Sequence, residues 1–287
     1  MNTNDATTNE SKESDEPEGH SFASSLGVDD SSTAALIGHT GFVGSNLLRQ
    51  RRFDATFNSK NIHEIAGRSF DLVVCAGAPA EKWKANADPR RDLDNIERLI
   101  HALEQMNTQK LVVISTVDVF IDPIDVDEES PTPMAGLPPY GRNRRRLEQI
   151  AASRFDATIV RLAGLYGQGL KKNAIHDLLH DHEVRKIDSR GLFQFYNIDR
   201  LWPDIEIAMG SSVPVVHLPT EPVRVSTVAR AAFGIEFTNE VSATPARYDV
   251  RTLYAPLFGG TGSYIENADQ ELNGIAAFVA AERALSF

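Results

Sequence analysis

A glycine-rich turn between an apolar run and a helical pattern constrains this chain more than any other stretch. Residues 34–37 are apolar, glycines then recur at a spacing of three, and apolar residues continue at helical spacing. This order predicts a buried strand, a tight turn and a helix start. Such a turn lets backbone N–H groups approach a pyrophosphate, and the helix N-terminus favours its negative charge. We therefore expect a dinucleotide site, formed in this turn by Gly38, Thr40, Gly41, Phe42, Val43 and Gly44.

The composition indicates a globular chain preceded by an acidic, polar tail. Residues 1–32 carry −7 of the net charge of −11, and they have too few large apolar side chains to offset ordering entropy, so we expect disorder there. The remainder lacks the basic patch that nucleic-acid binding requires. No stretch approaches the roughly 20 apolar residues of a membrane span, and the N-terminus lacks a signal-peptide pattern. A single cysteine, Cys75, excludes an internal disulfide and suits the cytoplasm.

Strands alternate with helices along the rest of the chain. Alternation implies parallel pairing and an α/β, Rossmann-type doubly wound sheet, with ligands beyond the carboxyl ends of its strands. We expect residues 33–166 to form an NAD(P)-binding domain and residues 167–287 a small substrate-side lobe interleaved with the last strands. The predicted strands are 54–58, 70–78, 110–115, 157–162 and 213–218, and the predicted helices are 42–51, 92–105, 140–154 and 226–233.

The residues near the second strand bear on the choice of cofactor. An NAD-type site has an acidic residue about 20 positions after the first glycine, to bind the adenosine ribose. Here Asn58 stands at that place and Lys60 follows two residues later. No carboxylate would repel a 2′-phosphate and a lysine would attract one, so the sequence favours NADP over NAD. At the end of the next strand, the small residues Ala76, Gly77 and Ala78 let a cofactor lie against the backbone.

Several motifs in order along the chain resemble the extended short-chain dehydrogenase/reductases, which include the NAD-dependent epimerase/dehydratases of nucleotide sugars. The resemblance runs from residue 34 to about 235. It implies an NAD(P) cofactor and a small polar substrate such as a nucleotide sugar, and it leaves open a homodimer formed through the helices at 92–105 and 140–154. The motifs are the glycine spacing, Cys75-Ala76-Gly77, Asn95 in the following helix, Ser115-Thr116-Val117-Asp118-Val119-Phe120, Tyr140, and Arg161-Leu162-Ala163-Gly164-Leu165-Tyr166-Gly167.

The resemblance also implies roles for individual residues. Thr116 would hydrogen-bond the substrate oxygen, with Ser115 as a neighbouring alternative, and Tyr140 would be the proton donor and acceptor. The family has a lysine four residues after this tyrosine, which lowers the tyrosine pKa and binds the nicotinamide ribose. This chain has Arg144 there. A spacing of four keeps the positive charge on the same helical face, but an arginine cannot relay a proton.

Two functions therefore stay open at this point. One is an NAD(P)-dependent oxidoreductase, epimerase or dehydratase. The other is a dinucleotide-binding sensor or partner-binding protein with little or no turnover, for which the Arg144 substitution would be the mark.

The segment after residue 167 is expected to bind the substrate. Lys171, Lys172 and Asn173 lie in a polar loop that would meet a diphosphate, and Gln194 and Tyr196 are further candidate contacts. His176 and His180 resemble a zinc-binding helix pattern in which Asp177 replaces glutamate. That aspartate is one methylene shorter, and the two leucines between the histidines mark a buried helix face, so we predict no metal site.

Overall fold

The computed structural model describes Met1 and residues 33–285, so the predicted disorder of the N-terminal tail falls outside the described residues. Its strands are β1 Ala34–Ile37, β2 Ala55–Phe57, β3 Ser69–Cys75, β4 Asn107–Thr116, β5 Ile124–Val126, β6 Ala157–Leu162, β7 Gly164–Tyr166, β8 Leu192–Phe193, β9 Phe195–Asn197, β10 Val215–His217, β11 Val223–Arg224 and β12 Asp249–Val250. Its helices are α1 Phe42–Gln50, α2 Lys82–Ala87, α3 Pro89–Glu104, α4 Pro139–Arg154, α5 Ala174–Leu179, α6 Leu201–Gly210, α7 Val225–Val228 and α8 Ala268–Leu285. None of these helices is both long and apolar enough to cross a membrane.

Six strands form one parallel sheet in the order β10-β6-β4-β3-β1-β2. The chain passes from β1 to β2 on one side and then to β3 on the other, so the strand order reverses between β1 and β3. Ligands bind at such a switch point in open α/β sheets. The predicted Rossmann-type parallel sheet is confirmed. Its outer strand β10 comes from residues 215–217, so the second half of the chain completes the sheet.

Apolar side chains cover both faces of the sheet, as parallel sheets require. Along β1, Ala34 and Leu36 join the core that contains residues of α1 and α6. Ala35 and Ile37 join the opposite core, which contains residues of α3 and α4. Two helical layers therefore enclose the sheet, and only the ends of its strands are left for ligand contact.

A third apolar core holds the C-terminal part of the described chain together around α8. Phe195 of β9 and Ile275 of α8 belong to it. Glu271, also on α8, is fully buried, and its Oε1 accepts the N–H of Phe195 at 2.8 Å. Burial raises the pKa of the Glu271 carboxyl group to about 9. This glutamic acid is therefore protonated at neutral pH, which reduces the cost of burying it.

We expect Glu271→Gln to remove a pH dependence of stability. The folded-state pKa of about 9 exceeds the reference value of 4.5, so the contribution of Glu271 is complete below pH 4.5 and is lost as the pH rises towards 9. Within that window the unfolding free energy should fall by at most about 1.4 kcal/mol per pH unit. Urea unfolding between pH 5 and pH 9 measures this fall in the unfolding free energy.

The matched control is Glu236→Gln, because Glu236 is exposed. It should leave the pH profile of the parent chain unchanged. An equal slope in the parent and in Glu271→Gln would contradict the buried, protonated state of Glu271.

Candidate functional site

A cavity of about 1330 Å³ opens at the carboxyl ends of β1, β3, β4 and β6, at the switch point of the sheet. Most of its charged lining is positive, in a chain whose net charge is −11. A positive cleft in an acidic protein attracts an anionic ligand. The charged lining residues are Lys82, Arg98, Arg144, Lys171 and Lys172, against Glu81 and Asp177.

The glycine turn forms one end of this cavity. A Cβ on Gly44 would clash with the carbonyl oxygen of Gly38, so α1 packs this close to the turn only because residue 44 is glycine. Gly41 differs, because it borders the cavity and an added Cβ there would meet no atom closer than 3.4 Å. Gly41 also provides no side-chain cap for α1, which leaves first-turn N–H groups available. This arrangement fits a pyrophosphate.

The end of β2 borders the same part of the cavity. Asn58 lines the cavity, whereas Lys60 is exposed and does not line it. The side chain of Asn58 accepts the Lys60 N–H at 2.9 Å and lies 3.4 Å from Nε2 of His39. His39 Nδ1 lies 3.0 Å from the carbonyl oxygen of Phe57, so Nδ1 carries the proton and Nε2 accepts. The contact of Lys60 with a 2′-phosphate stays a prediction.

Thr116 and Tyr140 meet at the wall of the cavity. Thr116 ends β4, where its Oγ1 accepts the N–H of Asp118 at 3.1 Å, and Tyr140 lies in the first turn of α4. The N–H of Tyr140 donates to Oδ1 of Asn86 at 3.0 Å, which caps the helix from α2. A Cβ on Gly141 would clash with the Asp118 carbonyl oxygen, so glycine at this position allows α4 to pack against the end of β4.

The environment of Tyr140 keeps its phenol protonated. Burial raises the pKa of Tyr140 above its usual value of 10, and this effect outweighs the nearby Arg144 cation, which lowers the pKa. The Asp118 carboxylate adds to the increase in pKa, and the nearby Thr116 hydroxyl opposes it. In this state the phenol is a proton donor rather than a base.

Arg144 borders the cavity but is only 2% exposed. Its Nη1 donates to Oδ2 of Asp92 at 2.5 Å and to the carbonyl oxygen of Tyr140 at 3.2 Å, while Nη2 donates to the carbonyl oxygen of Pro79. The guanidinium carbon lies 4.0 Å from the centre of the Tyr140 ring. Arg144 thus contacts the face of the tyrosine ring, and both terminal nitrogens already have acceptors.

Sequence reasoning missed a second polar cluster beside the cavity. Lys82 Nζ lies 2.7 Å from Oδ1 of Asp118, and the Tyr248 hydroxyl lies 3.0 Å from the same oxygen. Lys82 also donates to the Tyr248 hydroxyl at 3.1 Å. Lys82 and Asp118 follow the carboxyl ends of β3 and β4, and this position in the sequence could have predicted that they lie near the cavity. Nothing in the sequence indicated that Tyr248, 130 residues after Asp118, would join them.

The predicted substrate contacts divide into two groups. Lys171, Lys172 and Asn173 line the cavity, and Lys172 Nζ donates to the carbonyl oxygen of Ala80 at 2.9 Å. Gln194 and Tyr196 are buried in the interior instead. Gln194 bonds the backbone at Thr220 and Val250, and the Tyr196 hydroxyl donates to Asp204 at 2.7 Å.

The cofactor residues predicted from the sequence are largely brought together. Gly44 and Lys60 stand outside the lining. Those that line the cavity are Gly38, Thr40, Gly41, Phe42, Val43, Asn58, Ala76, Gly77, Ala78, Asn95, Ser115, Tyr140 and Arg144.

Known proteins resemble this chain in sequence family and in fold. A model of the NAD dependent epimerase/dehydratase family matches residues 50–191, a range that contains Thr116, Tyr140 and Arg144. The predicted family resemblance is confirmed. The epimerase/dehydratase match begins after the glycine turn, which is covered by the structural comparisons below. No curated protein matches the chain in sequence.

Solved structures share the fold over most of the chain. A dTDP-4-dehydrorhamnose reductase from Clostridium acetobutylicum has a TM-score of 0.68 at 13% identity, covering 88% of this chain and 99% of its own. RMD from Pseudomonas aeruginosa, complexed with NADPH, has a TM-score of 0.64 at 16% identity, and the match covers 88% of this chain and 100% of RMD. A third match is a dTDP-glucose 4,6-dehydratase from Streptomyces venezuelae, the DesIV double mutant with NAD and DAU bound. Its TM-score is 0.65 at 15% identity, and the match covers 87% of this chain and 96% of the dehydratase.

We expect Asp92→Asn to destabilise the fold, because it leaves the buried Arg144 charge without its partner. Removing one partner of a buried ion pair costs about 3–5 kcal/mol, and Asp92 is only 4% exposed. Urea unfolding measures the loss. Asp94→Asn is the matched control, since Asp94 lies on the exposed face of the same helix and should change stability by less than about 0.5 kcal/mol. Equal effects of the two substitutions would contradict the enclosed ion pair.

Proposed function

We propose that the cavity binds NAD(P) and that the chain is an NAD(P)-dependent oxidoreductase, epimerase or dehydratase acting on a nucleotide sugar. One observation carries this proposal: Thr116 and Tyr140 stand together in a positively lined cavity at the switch point of the sheet. The family match and the NADPH and NAD complexes of the structural relatives support it.

The residues around the cavity fit a dinucleotide. The open space above Gly41 and the first-turn N–H groups of α1 would hold the pyrophosphate. Asn58 would meet the adenosine ribose, and the small residues 76–78 would let the cofactor lie against the end of β3. When bound, the nicotinamide supplies or accepts a hydride.

The protonated state of Tyr140 favours the reductive direction of such chemistry. A phenol whose pKa is raised by burial donates a proton to a substrate carbonyl oxygen more readily than it accepts one. The neighbouring Thr116 hydroxyl would hold the same oxygen. Lys171 and Lys172 would meet the diphosphate of a nucleotide sugar on the other side of the cavity. The homodimer implied by the resemblance would use α3 and α4.

We expect saturable binding of NADPH and NADH, measured by the fluorescence of the reduced nicotinamide, and its loss in Gly41→Val. Residue 41 has φ −78°, which valine adopts without strain, so the variant should fold while its side chain occupies the pyrophosphate space. Circular dichroism checks the fold. Equal affinity in a folded Gly41→Val would contradict the site.

The same titration tests the preference for NADP. Lys60→Ala should weaken the binding of NADPH and leave that of NADH unchanged, because only the 2′-phosphate would contact the lysine. Equal effects on both cofactors would contradict the role of Lys60.

With a 4-keto nucleotide sugar and NADPH, Tyr140→Phe should abolish the absorbance change at 340 nm that reports oxidation of the cofactor, leaving cofactor affinity nearly intact. The phenylalanine keeps the ring against Arg144 and removes only the hydroxyl. Turnover equal to that of the parent chain would contradict the assignment of Tyr140.

A second candidate function is a dinucleotide-binding sensor with little or no turnover. The enclosure of Arg144 favours it, because both terminal nitrogens already donate to protein acceptors rather than to a ribose. Saturable cofactor binding without turnover of any nucleotide sugar in a broad panel would favour this function over the enzyme.

A further inference from the structure

Three side chains of metal-ligating type converge at the end of α5, away from Tyr140. Nδ1 of His176 lies 3.0 Å from Oδ1 of Asp177, and Nδ1 of His182 lies 3.1 Å from the same oxygen. One ligand atom from each residue lies within 4.8 Å of the other two. The spacing in the sequence had paired His176 with His180, but the structure completes the cluster with His182.

The backbone after α5 brings His182 back to the helix. Asp181 and Glu183, on either side of it, have φ values of 50° and 53°, a left-handed conformation that side chains other than glycine seldom adopt. The N–H of His182 donates to the carbonyl oxygen of Asp177 at 2.9 Å. Such conformations persist where the surrounding structure holds them, and they cluster at functional sites.

The other two residues of the cluster stand on an anchored helix. Asn173 caps α5, since its Oδ1 accepts the N–H of His176 at 3.1 Å and its Nδ2 donates to the carbonyl oxygen of Leu165 at 2.8 Å. Ile175, which directly precedes His176, is fully buried. Ligands on a helix held in this way need little reorganisation to bind an ion.

We propose that His176, Asp177 and His182 bind a divalent transition-metal ion of the Zn²⁺ class. Two imidazoles and one carboxylate suit Zn²⁺ or Co²⁺ better than Mg²⁺ or Ca²⁺, and three protein ligands leave a position open for water or another ligand. Bonds of about 2.1 Å in a tetrahedral site place ligand atoms about 3.4 Å apart. The two His–Asp distances, 3.0 and 3.1 Å, are already close to that value.

The position of the cluster gives this ion a place relative to the cavity. Asp177 lines the cavity, so the ion would lie at its wall, on the side where Lys171 and Lys172 stand. The ring of His180 lies 4.6 Å from that of His176, centre to centre, which makes it the neighbouring residue to test as a fourth ligand.

The test uses the untagged full chain, freed of metal by a chelator. Zn²⁺ affinity is measured by competition with a chromophoric chelator, and Co²⁺ is added as a spectroscopic probe. We expect one equivalent of either ion and visible ligand-field bands for Co²⁺. His182→Ala should weaken Zn²⁺ binding by at least about 10- to 100-fold, and it should keep the fold, because the His182 side chain is 64% exposed.

His63→Ala and His20→Ala are the controls, and both should leave Zn²⁺ affinity unchanged. His63 is exposed elsewhere on the surface, and His20 lies in the tail. His180→Ala decides between three and four protein ligands. In addition, Zn²⁺ should raise the Tm of the parent chain and not that of His182→Ala. Equal Zn²⁺ affinity in the parent and in His182→Ala would overturn the proposal. So would a loss of Zn²⁺ affinity in His20→Ala instead of in His182→Ala. None of these measurements requires turnover.

Discussion

The buried guanidinium of Arg144 joins three segments that together make one wall of the cavity. It links α4, on which it stands, to Asp92 of α3 and to the carbonyl oxygen of Pro79 after β3. Both terminal nitrogens of the guanidinium have acceptors here, and a buried charge needs such partners, so these segments keep one relative position. Tyr140 lies one helical turn before Arg144, and its place at the cavity follows from this junction.

The same junction changes the electrostatics expected of a tyrosine followed by a cation four residues later. The positive charge lies over the face of the Tyr140 ring, where it interacts with the π electrons, and it shares Asp92 with Asn143. Partial neutralisation by Asp92 weakens its effect on the phenol, so burial determines the direction of the pKa shift. Arg144 therefore keeps a positive charge one helical turn after Tyr140 and places that charge over the face of the ring.

Periodicity and glycine spacing predicted the parts of the fold that depend on neighbouring residues. The turn at Gly38 and the strand ends at Ala76 and Thr116 meet as expected, because parallel strands end at one edge. The family resemblance, not periodicity, placed Tyr140 with them. Contacts between distant residues had no such signal. The acceptors of Arg144 lie 52 and 65 residues away. Tyr196 is interior because β9 is covered on both sides, which alternation in a three-residue strand does not reveal. Gln194, between β8 and β9, is held by backbone carbonyl groups 26 and 56 residues away.

The strand β10 ties the two halves of the chain into one folding unit. It pairs with β6 through residues 215–217, and His217 of β10 contacts Arg161 of β6. A fragment ending at residue 166 would leave the outer edge of β6 with a row of unpaired N–H and C=O groups and an apolar surface around Ile159. An open edge of this kind recruits strands from other molecules. The part of the chain that ends at residue 166 is thus not a transferable module, and joining it to a different partner would require a new edge strand.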